Sequence, residues 1–263
     1  MSSGADPYEL LGLAESAARE AGELLVAKRP QDLGVSTKST PTDVVTVMDA
    51  AAEKLLTERL LSARPDDGIL GEEGASREGT SGVRWVVDPI DGTVNYLYDL
   101  PGWAVSVAAE VNGEVVAGAV YVPALRETYT AVAGGGAQRN GDSIRCSQQA
   151  DLSQSLVATG FGYAIDRRVA QAQGLVHVIG AIRDIRRAGA ASVDLCSVAC
   201  GRVDAYYEQG LKPWDLAAGG LIAREAGARV EGLQGAAAGE RMVVAAPSQL
   251  FGAFHDLLVA AGV

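Results

Sequence analysis

The chain has 263 residues, 48% of them hydrophobic, and a formal net charge of −11. That length fits one large domain or two intimate halves, and the apolar fraction is ample for a core. The acidic balance argues against nonspecific nucleic-acid binding, which needs basic surface to neutralise phosphates. No apolar run approaches the roughly 18 residues of a membrane span. The N-terminus has neither a charged n-region nor an apolar h-region. A cytoplasmic protein without membrane or nucleic-acid partners is therefore expected.

Asp6-Pro7 caps and opens a helix running to about residue 28, with Leu10, Ala14, Ala17, Ala21, Leu24 and Leu25 at helical spacing. A loop with Gly34 and Pro41 leads to a second helical pattern over about 44–61. Lys38, Asp43, Thr46 and Asp49 stand at its start. Strands then dominate, at about 68–70, 83–87, 104–111, 115–122 and 127–133, and Asn112-Gly113 is a hairpin signal. Gly134-Gly135-Gly136 lacks the Lys-Ser/Thr of a phosphate loop. It reads as a turn between strands, where glycine supplies unusual φ. Further strands are expected at about 155–159, 184–186, 205–208 and 242–246, and helices at about 168–179, 191–200, 216–225 and 248–261. The stretch 234–240 is Gly/Ala-rich and reads as a loop.

Three cysteines, Cys146, Cys196 and Cys200, make no disulfide framework. Cys196 and Cys200, four apart in an apolar helical run, read as buried small residues. His177 and His255 are isolated, without metal-ligand companions. The Arg167-Arg168 and 183–187 clusters are short and read as solvated element ends that could still steer an anion or join a subunit contact.

The most informative stretch is 85–96, where Asp88-Pro89-Ile90-Asp91-Gly92-Thr93 follows an apolar run. The run delivers Asp88 to a strand end, and Pro89 stops pairing and stiffens the turn. Asp88 and Asp91 can then converge, with the Ile90 carbonyl as a third oxygen. Hard oxygen donors suit Mg²⁺ better than nitrogen or sulfur would. Gly92 lets backbone approach a ligand, and Thr93 adds a hydroxyl at the start of a short helix whose free N–H groups suit a phosphate. Taken alone, the same residues read equally well as an Asp-Pro turn and an Asp-Gly turn. Glu72-Glu73 between glycines is a second carboxylate source, and such a pair repels unless a cation sits there. Its plain alternative is a solvated turn. Asp215, opening an Ala-rich helix, is a third source, with an ordinary N-cap as its alternative.

Together these segments resemble the inositol monophosphatase family of Mg²⁺-dependent, lithium-sensitive phosphomonoesterases. The pattern Trp-x-x-Asp-Pro-Ile-Asp-Gly-Thr-x-Asn-aromatic is complete at 85–96, and Trp-Asp-x-Ala-Ala-Gly with Glu-Ala-Gly stands at 214–219 and 225–227. Gly-Glu-Glu is at 71–73, and the likeness spans nearly the whole chain. The resemblance implies a layered α/β sandwich, α-β-α-β-α, as a single compact phosphatase unit over 1–263. Its N-terminal half, about 1–146, would hold metal and catalytic loops. Its C-terminal half, about 147–263, would hold specificity residues and the last metal ligand. It implies that Glu72, Asp88 and the Ile90 carbonyl hold one Mg²⁺, and that Asp88, Asp91 and Asp215 hold a second. Glu72 would share a third, mostly hydrated ion. Thr93, paired with Asp49, would polarise a water that attacks phosphorus directly. Gly92 and Thr93 amides would cradle the phosphate, and a homodimer is expected.

Substrate identity is the finer question. The resemblance implies that Glu208, seven residues before Asp215, accepts from ring hydroxyls, as a carboxylate can. Gly189 and Ala191 match backbone positions lining the inositol pocket, and Ala190 departs from the Ser or Thr common in relatives. myo-Inositol monophosphate is the leading substrate. Histidinol phosphate, fructose 1,6-bisphosphate and 3′-phosphoadenosine-5′-phosphate fit the same metal core, although the compact length disfavours the nucleotide. A regulatory binding protein that keeps the fold is the alternative from another class.

Overall fold

The structure, a computed structural model, describes residues 5–263. Helix α1 (Pro7–Ala27) starts where Asp6 accepts the Tyr8 N–H at 2.9 Å, with Pro7 preorganising the first turn. It buries Leu10, Ala14, Ala17, Ala18, Ala21 and Leu25. The second helix starts later than the apolar pattern suggests. Val44–Val45 is instead strand β2, paired with β1 (Ser36–Thr37), and α2 spans Val47–Ala63. The cause is local. Thr46 is extended, its hydroxyl accepts the Met48 N–H, and Asp49 accepts the Thr46 N–H, so the helix is capped at Thr46.

The next strands are β3 (Gly68–Gly71), β4 (Ser76–Arg77), β5 (Val83–Asp91), β6 (Ala104–Val111), β7 (Glu114–Val122), β8 (Glu127–Val132), β9 (Gly136–Arg139) and β10 (Asp142–Ile144). Helix α3 (Thr93–Leu97) follows β5. The eight strands form one sheet in the order β10-β9-β8-β7-β6-β5-β3-β4, with only β3 and β5 parallel. A five-stranded sheet takes β11 (Leu156–Thr159), β12 (Asp184–Arg186), β13 (Ala205–Glu208), β14 (Ala228–Glu231) and β15 (Val243–Pro247), ordered β12-β11-β13-β15-β14. The remaining helices are α4 (Ile165–Ile179), α5 (Ala191–Ala199), α6 (Pro213–Glu225) and α7 (Ser248–Ala261).

Helices α1 and α2 cover one face of the large sheet, α5 and α6 lie between the sheets, and α4 and α7 cover the small sheet's outer face. The five layers are α-β-α-β-α, as expected. Alternation along β7 decides its two faces: Ala117, Ala119 and Tyr121 pack toward α1, while Val120 and Val122 join the core between the sheets. Small residues let α6 approach closely. A Cβ on Gly118 of β7 would stand 3.0 Å from the Ala218 Cα. Residues Ala217 to Ala223 of α6 are all buried, so this part of the helix is enclosed on every side. The Ala-Ala-Gly run that looked like helix composition is therefore what seats Asp215 near the large sheet.

Six short strands, β1, β2, β4, β9, β10 and β14, escaped the sequence reading. Each has only two to four residues, too few for a period to show. Asn140 and Gly141, both at positive φ, turn β9 into β10 as Asn112 and Gly113 turn β6 into β7.

Candidate active site

Parallel strand pairs build the site. In β3 and β5, Gly71 pairs with Val87, so Glu72, just past the end of β3, stands next to Asp88, which still pairs with Ser106 of β6. The β5–β6 register breaks between Asp88 and Asp91, where Pro89 has no N–H to give. In the small sheet β11 is parallel to both β12 and β13. The carboxyl ends of these strands therefore open on one side, the usual place for a ligand in such sheets. Between the two sheets' loops lies a cavity of about 530 Å³ lined by Glu72, Asp88, Asp91, Thr93, Glu208 and Asp215, among others.

Asp88, Asp91 and Asp215 offer carboxylate oxygens within 4.8 Å of one another. Asp88 is 1% exposed. Burial, then the charges of Glu72, Asp91 and Asp215, push its carboxyl well above the usual range. Asp91 is pushed up to about 6 by burial, although Ser192 pulls the other way. Asp215 is raised by burial and by Asp91. Such a group cannot be fully ionised without a cation. The donors are all hard oxygens, so the set fits a divalent ion such as Mg²⁺. The Ile90 carbonyl is at the same turn, accepting from the Thr93 hydroxyl at 3.0 Å. Glu72 lines the cavity beside Asp88, but its carboxylate accepts from Lys38 Nζ at 2.8 Å. Lys38 also donates to Glu73 at 2.5 Å, which is the cation the Glu-Glu pair calls for. Asp215 is not the helix N-cap. Lys212 holds that position, and Asp215, three residues in, accepts the Lys212 N–H at 2.6 Å.

Thr93 Oγ1 lies 3.1 Å from Asp49 Oδ1. Asp49 is fully buried, and its other oxygen accepts the Thr46 N–H at 2.8 Å and hydroxyl at 2.6 Å. Burial raises its carboxyl while these bonds oppose the rise. Gly92, at φ +90°, precedes α3, and a Cβ there would stand 3.0 Å from the Gly102 carbonyl oxygen and from the Ala190 Cβ. Only glycine fits this turn. Glu208, also on the cavity lining, accepts the Tyr206 hydroxyl at 2.7 Å, and burial lifts its carboxyl to about 7. Gly189 and Ala191 also line the cavity. The Ala191 N–H is directed at Asp91, at 3.2 Å.

The model of the inositol monophosphatase family matches residues 6–261. The chain belongs to this family. It is 45% identical to the inositol-1-monophosphatase SuhB of Mycobacterium tuberculosis, over 97% of this chain and 94% of that protein. It is 39% identical to the Nus factor SuhB of Escherichia coli, over 87% and 86% of the two chains. The solved structure of the Thermotoga maritima IMPase matches with a TM-score of 0.89 at 31% identity, covering 97% and 98%. Like its family, the chain is a phosphatase that acts on a small phosphate ester, and its acidic cluster suits a metal-dependent enzyme. No helix among the described residues is long and apolar enough to cross a membrane.

Several residues of this inositol monophosphatase site are invisible to motif reading. Ser192 donates its N–H at 2.7 Å and its hydroxyl at 2.5 Å to Asp91, fixing a carboxylate 101 residues away. Asn95 Nδ2 ties the Gly102 and Ala188 carbonyls together at 2.5 and 2.7 Å, joining the first motif to the Gly189 turn. No spacing rule signals either contact. The arginine clusters also divide. Arg168 and Arg183 do brace loops, but Arg167 and Arg187 line the cavity and are not merely solvated ends.

Glu208 gives a test in the metal-free enzyme. Its carboxyl is raised from 4.5 to about 7, so folding takes up a proton between those values and stability falls as pH rises through that window. Glu208→Gln cannot titrate. Between pH 5 and pH 8 the wild type should lose on the order of 2 kcal/mol relative to this variant. Parallel melting-temperature profiles for the two proteins would contradict the assignment.

Proposed function

We propose that the enzyme hydrolyses myo-inositol monophosphates to inositol and phosphate, with Mg²⁺, by direct attack of water. The observation that supports this reading is that Glu208 lines the same cavity as the carboxylate cluster. A half-buried carboxylate braced by Tyr206 is a suitable acceptor for two polyol hydroxyls.

Glu72, Asp88 and the Ile90 carbonyl would hold one Mg²⁺, and Asp88, Asp91 and Asp215 a second. Bound cations would supply charge stabilisation for the phosphoryl group and a lower pKa for water. The chain's own residues do the rest. The Thr93 hydroxyl has one proton and two acceptors, Asp49 at 3.1 Å and the Ile90 carbonyl at 3.0 Å. When the Ile90 oxygen serves as a ligand, the proton goes to Asp49. The lone pairs of Oγ1 are then free to accept from the attacking water and fix its direction. Gly92 and Thr93 amides would hold phosphoryl oxygens, and the Gly189 turn would confine the ring. As the water oxygen bonds to phosphorus, the ester P–O bond breaks, and one proton of that water ends on the departing oxygen, giving inositol and inorganic phosphate.

A homodimer in the cytoplasm completes the reading. One face of α4 supports it: Ile165, Val169, Val176 and Ile179 are 74, 52, 69 and 40% exposed, an apolar stripe that a second subunit would cover. A regulatory protein is the second reading, since the E. coli relative is named a Nus factor. The hydrogen-bonded Thr93–Asp49 pair and the clustered carboxylates favour chemistry.

Kinetics of Glu208→Gln test the substrate. The variant should lose ~10-fold to 100-fold in kcat/KM on inositol 1-phosphate, the worth of one or two charge-assisted hydrogen bonds. Turnover of a small ester such as p-nitrophenyl phosphate should change little. Equal losses on both would refute the polyol-reading role.

A further inference from the structure

Helix α2 carries two buried carboxylates one turn apart on the same face, Asp49 and Glu53. Asp49 is used beside Thr93. Both oxygens of Glu53 go to backbone: Oε2 accepts the Glu73 N–H and Oε1 the Ala75 N–H, each at 2.8 Å. A buried carboxylate is costly unless donors satisfy it, and the turn it enters needs no acid to close. The Gly71 N–H already closes that turn by donating to the Ala75 carbonyl at 2.7 Å.

The chain makes room for this acid. A Cβ on Gly71 would collide with Glu53 Oε2, and Gly74, at φ +119°, lets the backbone curl round the carboxylate. Between these glycines lies Glu72. The peptide plane joining Glu72 to Glu73 contains the N–H that Glu53 holds, so this bond fixes ψ of Glu72. On the other side Gly71 is paired with Val87 of β5. The backbone of Glu72 is thus held at both ends, and the direction of its side chain with it. Lys38 also grips this turn, but through the carboxylates of Glu72 and Glu73, where it competes with an arriving cation. Glu53 grips only backbone and does not compete.

We infer that Glu53 is a positioning residue: by holding the Glu73 and Ala75 N–H groups it aims Glu72 into the cavity, and so sets the affinity of the cation position that Glu72 serves without touching the cation. This rests on the proposed reading in which Glu72 is a cation ligand.

Uptake of Mn²⁺, followed by loss of the free ion's paramagnetic resonance signal, tests it. Glu72→Gln and Asp215→Asn identify the affinity that belongs to each cation position. Glu53→Gln keeps one acceptor oxygen but sets an NH₂ group against the second N–H. It should weaken the Glu72 position ~10-fold to 100-fold, the usual cost of losing a residue that orients a ligand, and leave the Asp215 position within about twofold. In the Glu72→Gln background it should cost nothing more, since it acts through Glu72. Leu56→Ala, which hollows the core under the same helix, should lower the melting temperature and leave Mn²⁺ affinity unchanged. Wild-type Mn²⁺ affinity in Glu53→Gln overturns the inference. So does an equal loss at both positions, a further loss on top of Glu72→Gln, or a matching loss in Leu56→Ala. If Glu53→Gln does not fold, Glu53→Asp, whose acceptors stand one methylene short of the turn, is read by the same outcomes. Failure of the underlying reading looks different: Glu72→Gln itself leaves Mn²⁺ affinity unchanged, and the role of Glu53 falls with it.

Discussion

Asp88→Asn should lower kcat/KM on any phosphomonoester by at least ~10³-fold, the order of loss seen when one preorganised electrostatic element of a site is removed. Asp88 stands next to Glu72 across the β3–β5 pair and shares a cluster with Asp91 and Asp215. It is the one residue placed to serve both proposed cation positions. An amide leaves the shape unchanged but offers a single neutral oxygen. The fold should survive, and survive well. Burial and three neighbouring acids push this carboxyl well above its usual range, so removing its charge relieves a strain of the metal-free state. The metal-free variant should therefore melt at or above the wild-type temperature at pH 8, yet gain much less from Mg²⁺. Thermal scans with and without Mg²⁺, beside steady-state kinetics, check both halves. Near-wild-type turnover would remove Asp88 from the centre of the site.

Thr93→Ala should lower kcat by ~10²-fold to 10⁴-fold, the usual worth of a positioned proton-transfer group, with a smaller change in KM. Thr93 is 7% exposed, and its hydroxyl links a cavity wall to the fully buried Asp49. Alanine leaves one Asp49 oxygen without its Thr93 donor, while Thr46 still holds the other. Thr93→Ser keeps the hydroxyl and should keep most of the rate. A loss equal in the Ser and Ala variants would show that the methyl, and not the hydroxyl, matters. That outcome would end the water-orienting role.

The parts of the site legible in the sequence are those carried by contiguous residues. Asp88, Ile90, Asp91, Gly92 and Thr93 lie within six positions, so a strand whose register breaks at Pro89 brings them together whatever the rest of the chain does. Long strands such as Ala104–Val111 and Glu114–Val122 announce themselves through length and an Asn-Gly turn. What was not legible depends on contacts between distant segments. Ser192 matters only because α5 begins beneath Asp91. Arg187 and Arg183 look alike in a basic cluster, and only the direction of β12 decides which one faces the cavity. The start of α2 shows a nearer competition. Val44 and Val45 continue the apolar pattern, but Thr46 and Asp49 close a cap that sends them into a strand. The five-layer order itself was read from family resemblance, and no periodicity in the sequence would have yielded it.

Phosphate release measured with and without Mg²⁺, across inositol 1-phosphate, histidinol phosphate, fructose 1,6-bisphosphate and 3′-phosphoadenosine-5′-phosphate, tests the central claim most directly. The account predicts turnover that requires Mg²⁺, is inhibited by lithium, and includes inositol 1-phosphate among the good substrates with the nucleotide the poorest. Mg²⁺-bound protein that releases phosphate from none of the four would contradict it.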